Sequence, residues 1–106
     1  MSVRAWLDSR TPAPPLALGQ GVAQALGARA DDARISPYDA CLESAIGSLA
    51  DLLVPDALGR ESAADLLAAD ALVTYAFEAA AEDISQLEAR ASSAMLQLAA
   101  LANRAE

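Results

Sequence analysis

Between Asp65 and Asp83 the chain reads "DLLAADALVTYAFEAAAED", and polar residues inside that run return only at Asp70, Thr74, Glu78 and Glu82. A four-residue interval places successive positions on one helix face. The spacing therefore predicts a helix over 62–82 with a single narrow polar stripe. Leu66, Val73, Phe77 and Ala80 share one face, while Leu67, Leu72, Tyr75, Ala76 and Ala79 cover other sides. A helix that is apolar nearly all round is normally buried. Each helix of a four-helix bundle keeps one broad side in water, so this one needs extra cover, either from the chain's other segments wrapped around it or from a second chain.

The neighbouring segments read more simply. A helix is expected over 15–28, with Pro15 at an early position and Leu18, Val22, Ala25 and Leu26 on one face; its three glycines weaken it. Another is expected over 36–53. Ser36 is its N-cap, Pro37 its first residue, and Asp39 follows three after the cap. Tyr38, Cys41, Leu42, Ala45, Leu49, Leu52 and Leu53 form its apolar face, opposite Asp39, Glu43, Ser44, Gly47 and Asp51. Ser62 with Asp65 and Ser85 with Glu88 mark two further starts, with Ile84 placed to staple onto Ala89. The last helix, over 85–104, steps along Leu87, Ala91, Ala94, Leu98, Leu101 and Ala105, a coiled-coil-like seam. Gln86, Arg90, Ser93, Gln97 and Arg104 lie opposite. The turn before it is so short that these last two helices should be antiparallel neighbours. "PDALGR" breaks the chain before residue 62. At the start, Ser2 opens one helical turn over 3–7, and "DSRTPAPP" ends it. Residues 1–106 thus read as one all-α domain, a four-helix bundle preceded by a short turn and a Pro-rich arm over 1–14.

Composition narrows the functions open to such a bundle. The hydrophobic fraction is 55%, much of it alanine, the best helix former. The net charge is −8. That argues against nucleic acid, whose affinity comes from basic groups on phosphates, and against an anionic membrane surface. No run is apolar enough for a signal peptide or a span, so a soluble, cytoplasmic protein is expected. All basic residues are arginine, which with the alanine content points to a GC-rich bacterial genome. Cys41 is the one cysteine, and its helix position reads as core.

Histidine and lysine are both absent. Ser-His-Asp and Cys-His catalysis need an imidazole, and a zinc site cannot be built within one chain from one cysteine. Without lysine there is neither a Schiff base nor a P-loop. No cofactor is expected, and the chain does not read as an enzyme.

Two features invite a site. The first is the stripe: Asp70, Glu78 and Glu82 are candidate oxygen ligands for magnesium, although every helix needs a wet edge and an arginine would satisfy the same carboxylates. Asp70 interrupts apolar turns and is expected to pair with Arg60 or Arg90, since an unpaired buried carboxylate is costly. The second is the surplus apolar surface. Leu67, Leu72, Tyr75 and Ala79 on helix 62–82 form the expected interface, with a second copy of the chain as the favoured occupant; Trp6, near the terminus, is either an anchor in that interface or a residue packed back over the bundle end. Another protein or an apolar ligand would use the same surface.

The stretch "LLAADALVTYAFE" is similar to a helix in isoprenyl diphosphate synthases, which often reads Leu-Leu-Ala-Gly-Asp-Ala-Leu followed by Ala-Phe-Glu. The resemblance covers one helix. It implies an all-α protein using magnesium on prenyl diphosphates or lipids, held by two DDxxD motifs. Neither motif is in this chain: "ADDAR" supplies Asp31 and Asp32 without the third aspartate. The function expected from the residues themselves is a non-catalytic, self-associating helical interaction module.

Overall fold

The computed structural model describes residues 1–53 and 60–104, the side chains of 60 and 61 excepted. It is an all-α bundle with no strand among the described residues. In chain order the elements are α1 (Val3–Asp8), α2 (Leu16–Leu26), a 3₁₀ turn (Gly27–Asp31), α3 (Pro37–Leu52), α4 (Arg60–Ala81) and α5 (Ile84–Arg104). The break at "PDALGR" and the seam position Ala105 lie largely or wholly outside the described residues.

Local chemistry sets most of the boundaries. Ser2 caps α1 by accepting from the Ala5 N–H at 3.2 Å. Ser36 caps α3, accepting from the Asp39 N–H at 3.0 Å while its hydroxyl donates to the Asp39 carboxylate at 2.8 Å. Pro15 sits at the N-cap of α2 and contributes only its carbonyl, which accepts from the Gly19 N–H. Gly27 ends α2 with φ of +54°, a conformation that glycine adopts without steric cost. The chain then tightens into the 3₁₀ turn, which buries Ala30. Two expected caps fall elsewhere. Ser62 lies two residues inside α4 rather than at its start. Ser85 lies inside α5, and its hydroxyl donates to Asp83, the residue before the helix, at 2.6 Å. Ile84 consequently points to solvent and staples nothing.

The bundle is built on α3 against α4, with α2 and α5 laid on the pair and α1 over its end. The α3–α4 seam is rich in small residues: Ala40, Ala45 and Ala76 are all fully buried beside Cys41 and Leu72. The first half of α3 is covered on more than one side. Ser44, expected on the wet face, is therefore buried, and its hydroxyl accepts from Arg29 at 3.4 Å. α5 folds back on α4 after a two-residue turn and buries Ala94 and Leu101, with Leu87, Ala91 and Leu98 half-buried along the same seam. Tyr38 ties α3 to α5: its hydroxyl donates to the Arg90 carbonyl at 2.8 Å, and the Arg90 guanidinium stacks 4.9 Å from its ring centroid. Among the described residues, nothing beyond the chain next to Gly47 and its own helix backbone lies within 4 Å of where its Cβ would stand, so no described helix approaches there. No helix among the described residues is long and apolar enough to cross a membrane.

Candidate functional site

The polar stripe of α4 divides into two halves with different partners. Asp70 and Thr74 are exposed, and the Thr74 hydroxyl donates back to the Asp70 carbonyl at 3.1 Å. Asp70 is thus a solvent-facing residue and not a buried charge. Arg90, one of its two expected partners, is spent on Tyr38; the side chain of the other, Arg60, lies outside the described residues. Glu78 and Glu82, one turn apart, meet the N-terminal arm instead. Arg10 donates to Glu82 at 2.8 Å and to Glu78 at 2.9 Å. The Trp6 indole N–H is shared between the two Glu82 oxygens at 3.0 and 3.2 Å. The Arg10 guanidinium also lies 4.7 Å from the Trp6 ring centroid, and Trp6 meets Tyr75 edge-on with centroids 6.1 Å apart.

This arrangement is an electrostatic clamp. Like charges one turn apart repel, and a guanidinium bridging both relieves that repulsion. It also fixes the arm, because the cation stacks on the indole it brings along. Burial, and after it the Glu78 carboxylate, pushes the Tyr75 phenol above its ordinary range. Arginine thus occupies the place where a magnesium ion would need Glu78 and Glu82. Among the described residues, no three metal-ligating side chains gather anywhere.

The same clamp revises the expected interface. Of Leu67, Leu72, Tyr75, Ala79 and Trp6, three are buried by this chain itself: Leu72 is fully enclosed in the α3–α4 seam, Ala79 lies near the clamp, and Trp6 is tucked against α4. Tyr75 is half-buried beneath Trp6. Only Leu67 remains open, at 62% exposure. The solvent-facing apolar residues of α4 are Leu67 with Leu66 (53%) and Phe77 (36%). α5 adds Ile84, Met95 and Leu96, all strongly exposed. The apolar spacing placed Leu66 and Phe77 on one face of a helix expected to be covered. What periodicity could not show is that α1 and the Pro-rich arm cover the Tyr75–Glu82 face, leaving the Leu66–Phe77 face open. No protein family, curated protein or solved structure matches the chain.

Proposed function

We propose that the protein is a non-catalytic helical interaction module that associates with a second copy of itself through the solvent face of α4. The observation that supports this reading is the exposure of Leu66, Leu67 and Phe77, which flank Asp70 and Thr74 on the solvent side of α4. Large side chains concentrated on one helix mark interaction surfaces more often than scattered ones do. A two-fold arrangement would lay this helix against its own copy, and the exposed Ala63 and Ala81 on the same face permit close approach.

Sedimentation velocity across a concentration series tests it. A dimer is expected at tens of micromolar, on the order of the affinity a modest interface supports. Leu67→Glu and Phe77→Glu should each yield a monomer whose helical circular dichroism is unchanged, because both positions are exposed. A wild-type chain that stays monomeric throughout the series sinks the reading.

A further inference from the structure

The solvent side of α4 carries a register of its own. Ala63, Leu67, Asp70, Thr74, Phe77 and Ala81 are all exposed, and they follow one another at intervals of four, three, four, three and four residues. That alternation is the a and d seam of a coiled coil. The other sides of α4 are taken by α2, α3 and α5. This seam faces no other helix among the described residues.

The seam is also symmetric in side-chain size about residue 72. Ala63 mirrors Ala81, Leu67 mirrors Phe77 and Asp70 mirrors Thr74. The two ways of laying a second copy on it therefore bring different residues together. In a parallel pair the layers are a on a and d on d, so every residue is level with its own copy. That sets the two Asp70 carboxylates level at the centre of a seam that holds no cation, and like charges placed so oppose association. Reversing one helix about residue 72 makes every layer a on d. Ala63 is then level with the partner's Ala81, Leu67 with the partner's Phe77, and Asp70 with the partner's Thr74. The two Asp70 carboxylates are offset by about 6 Å along the axis, four residues of helical rise. Each lies beside a hydroxyl. In the single chain that hydroxyl donates to the Asp70 carbonyl at 3.1 Å, and it can turn to the partner's carboxylate instead.

We propose that two copies pair antiparallel through this seam, centred on residue 72, and that Asp70 and Thr74 fix the orientation. The proposal rests on the self-association inferred above and adds its register. A polar layer inside an otherwise apolar seam sets register at some cost in stability. That gives Asp70 a role that its exposure in the single chain leaves open.

The experiment uses the full chain with a cysteine at either end of the seam. Ala63→Cys and Ala81→Cys are both changes at exposed positions, and the native Cys41 is fully buried. Each variant is oxidised alone and as an equal mixture, at the concentration where the wild type sediments as a dimer. Peptide mass spectrometry locates the cross-links. A disulfide needs Cα atoms within about 7 Å. In the antiparallel register position 63 is level with the partner's position 81, while the two copies of position 63 stand about 27 Å apart, eighteen residues of rise. The mixture should therefore yield a 63–81 cross-link, and neither variant alone should link to itself. Thr74→Arg places a guanidinium level with the partner's Asp70 at two symmetric points. It should tighten the dimer about fivefold, the effect of two exposed ion pairs; in a parallel pair it would meet its own copy and weaken it. A dimer that links 63 to 63, that gives no 63–81 link in the mixture, or that Thr74→Arg weakens overturns the register and leaves self-association standing. A wild-type chain that is monomeric throughout the concentration series removes both.

Discussion

Replacing Arg10 by alanine removes the one cation that, among the described residues, holds the N-terminal arm on α4. Arg10 is 31% exposed and its partners Glu78 and Glu82 are 41% and 53% exposed, so both ion pairs are screened by water. At that exposure each is worth about 0.5 kcal/mol. Stacking on Trp6 at 4.7 Å adds about 0.5–1 kcal/mol. The expected loss is about 1.5–2 kcal/mol, which for a domain of this length lowers Tm by roughly 6–12 °C. Urea unfolding should be followed by Trp6 emission and by circular dichroism together. Trp6 reports the arm, and ellipticity reports the whole bundle. In the variant the emission transition should come first, since the arm loses its anchor while the α3–α4 seam is untouched. Glu82→Gln keeps an acceptor for the indole N–H but removes the charge. A double-mutant cycle with Arg10→Ala should return a coupling of about 0.5 kcal/mol, shrinking in 1 M salt, where the screening length falls to about 3 Å. An Arg10→Ala chain whose two probes melt together at the wild-type midpoint refutes the clamp as the arm's anchor.

Other expectations follow from single positions. Gly47 stands mid-helix with empty space around its Cβ position, so Gly47→Ala should raise stability by about 1 kcal/mol; a thermal melt showing a loss would mean that something packs there. Cys41 is fully buried and burial pushes its thiol up to about 12, so an aromatic disulfide reagent at neutral pH should label it only as fast as the chain unfolds. The same burial makes stability fall at alkaline pH. The fold holds the neutral thiol, while the unfolded chain ionises near 8.5. Stability is therefore whole below that value and declines by about 1.4 kcal/mol per unit as pH rises toward 12. Tyr38 and Tyr75, also raised by burial, act in the same direction. Cys41→Ala should flatten the slope between pH 9 and 11 in urea titrations; an unchanged slope would assign it wholly to the tyrosines.

Helix existence and the α5 seam were legible because alanine content, caps and apolar spacing are local. Ser36 caps α3 as its sequence context implies, and Leu87, Ala91, Ala94, Leu98 and Leu101 face inward as their spacing requires. Starts without a unique local signal drifted: Asp83, and not Ser85, precedes α5, since adjacent polar residues offer the same oxygen chemistry.

Which apolar side of α4 is covered was a different kind of question. Leu72 and Leu67 have the same chemistry and sit on the same helix, yet one is fully buried and the other mostly exposed. The local pattern separates them only slightly: Leu67 has Asp70 one turn on, while the one-turn neighbours of Leu72 are all apolar. The difference comes from contacts made far along the chain: Trp6 and Arg10 reach Glu82 and Glu78 across about seventy residues, and α3 claims the side that carries Leu72. Periodicity determined that α4 would be a helix with surplus apolar surface and an acidic edge. Only the tertiary packing decided that the edge belongs to an arginine and that the surplus lies at Leu66, Leu67 and Phe77. Burial is fixed by which distant segment arrives, and a local pattern carries no record of that.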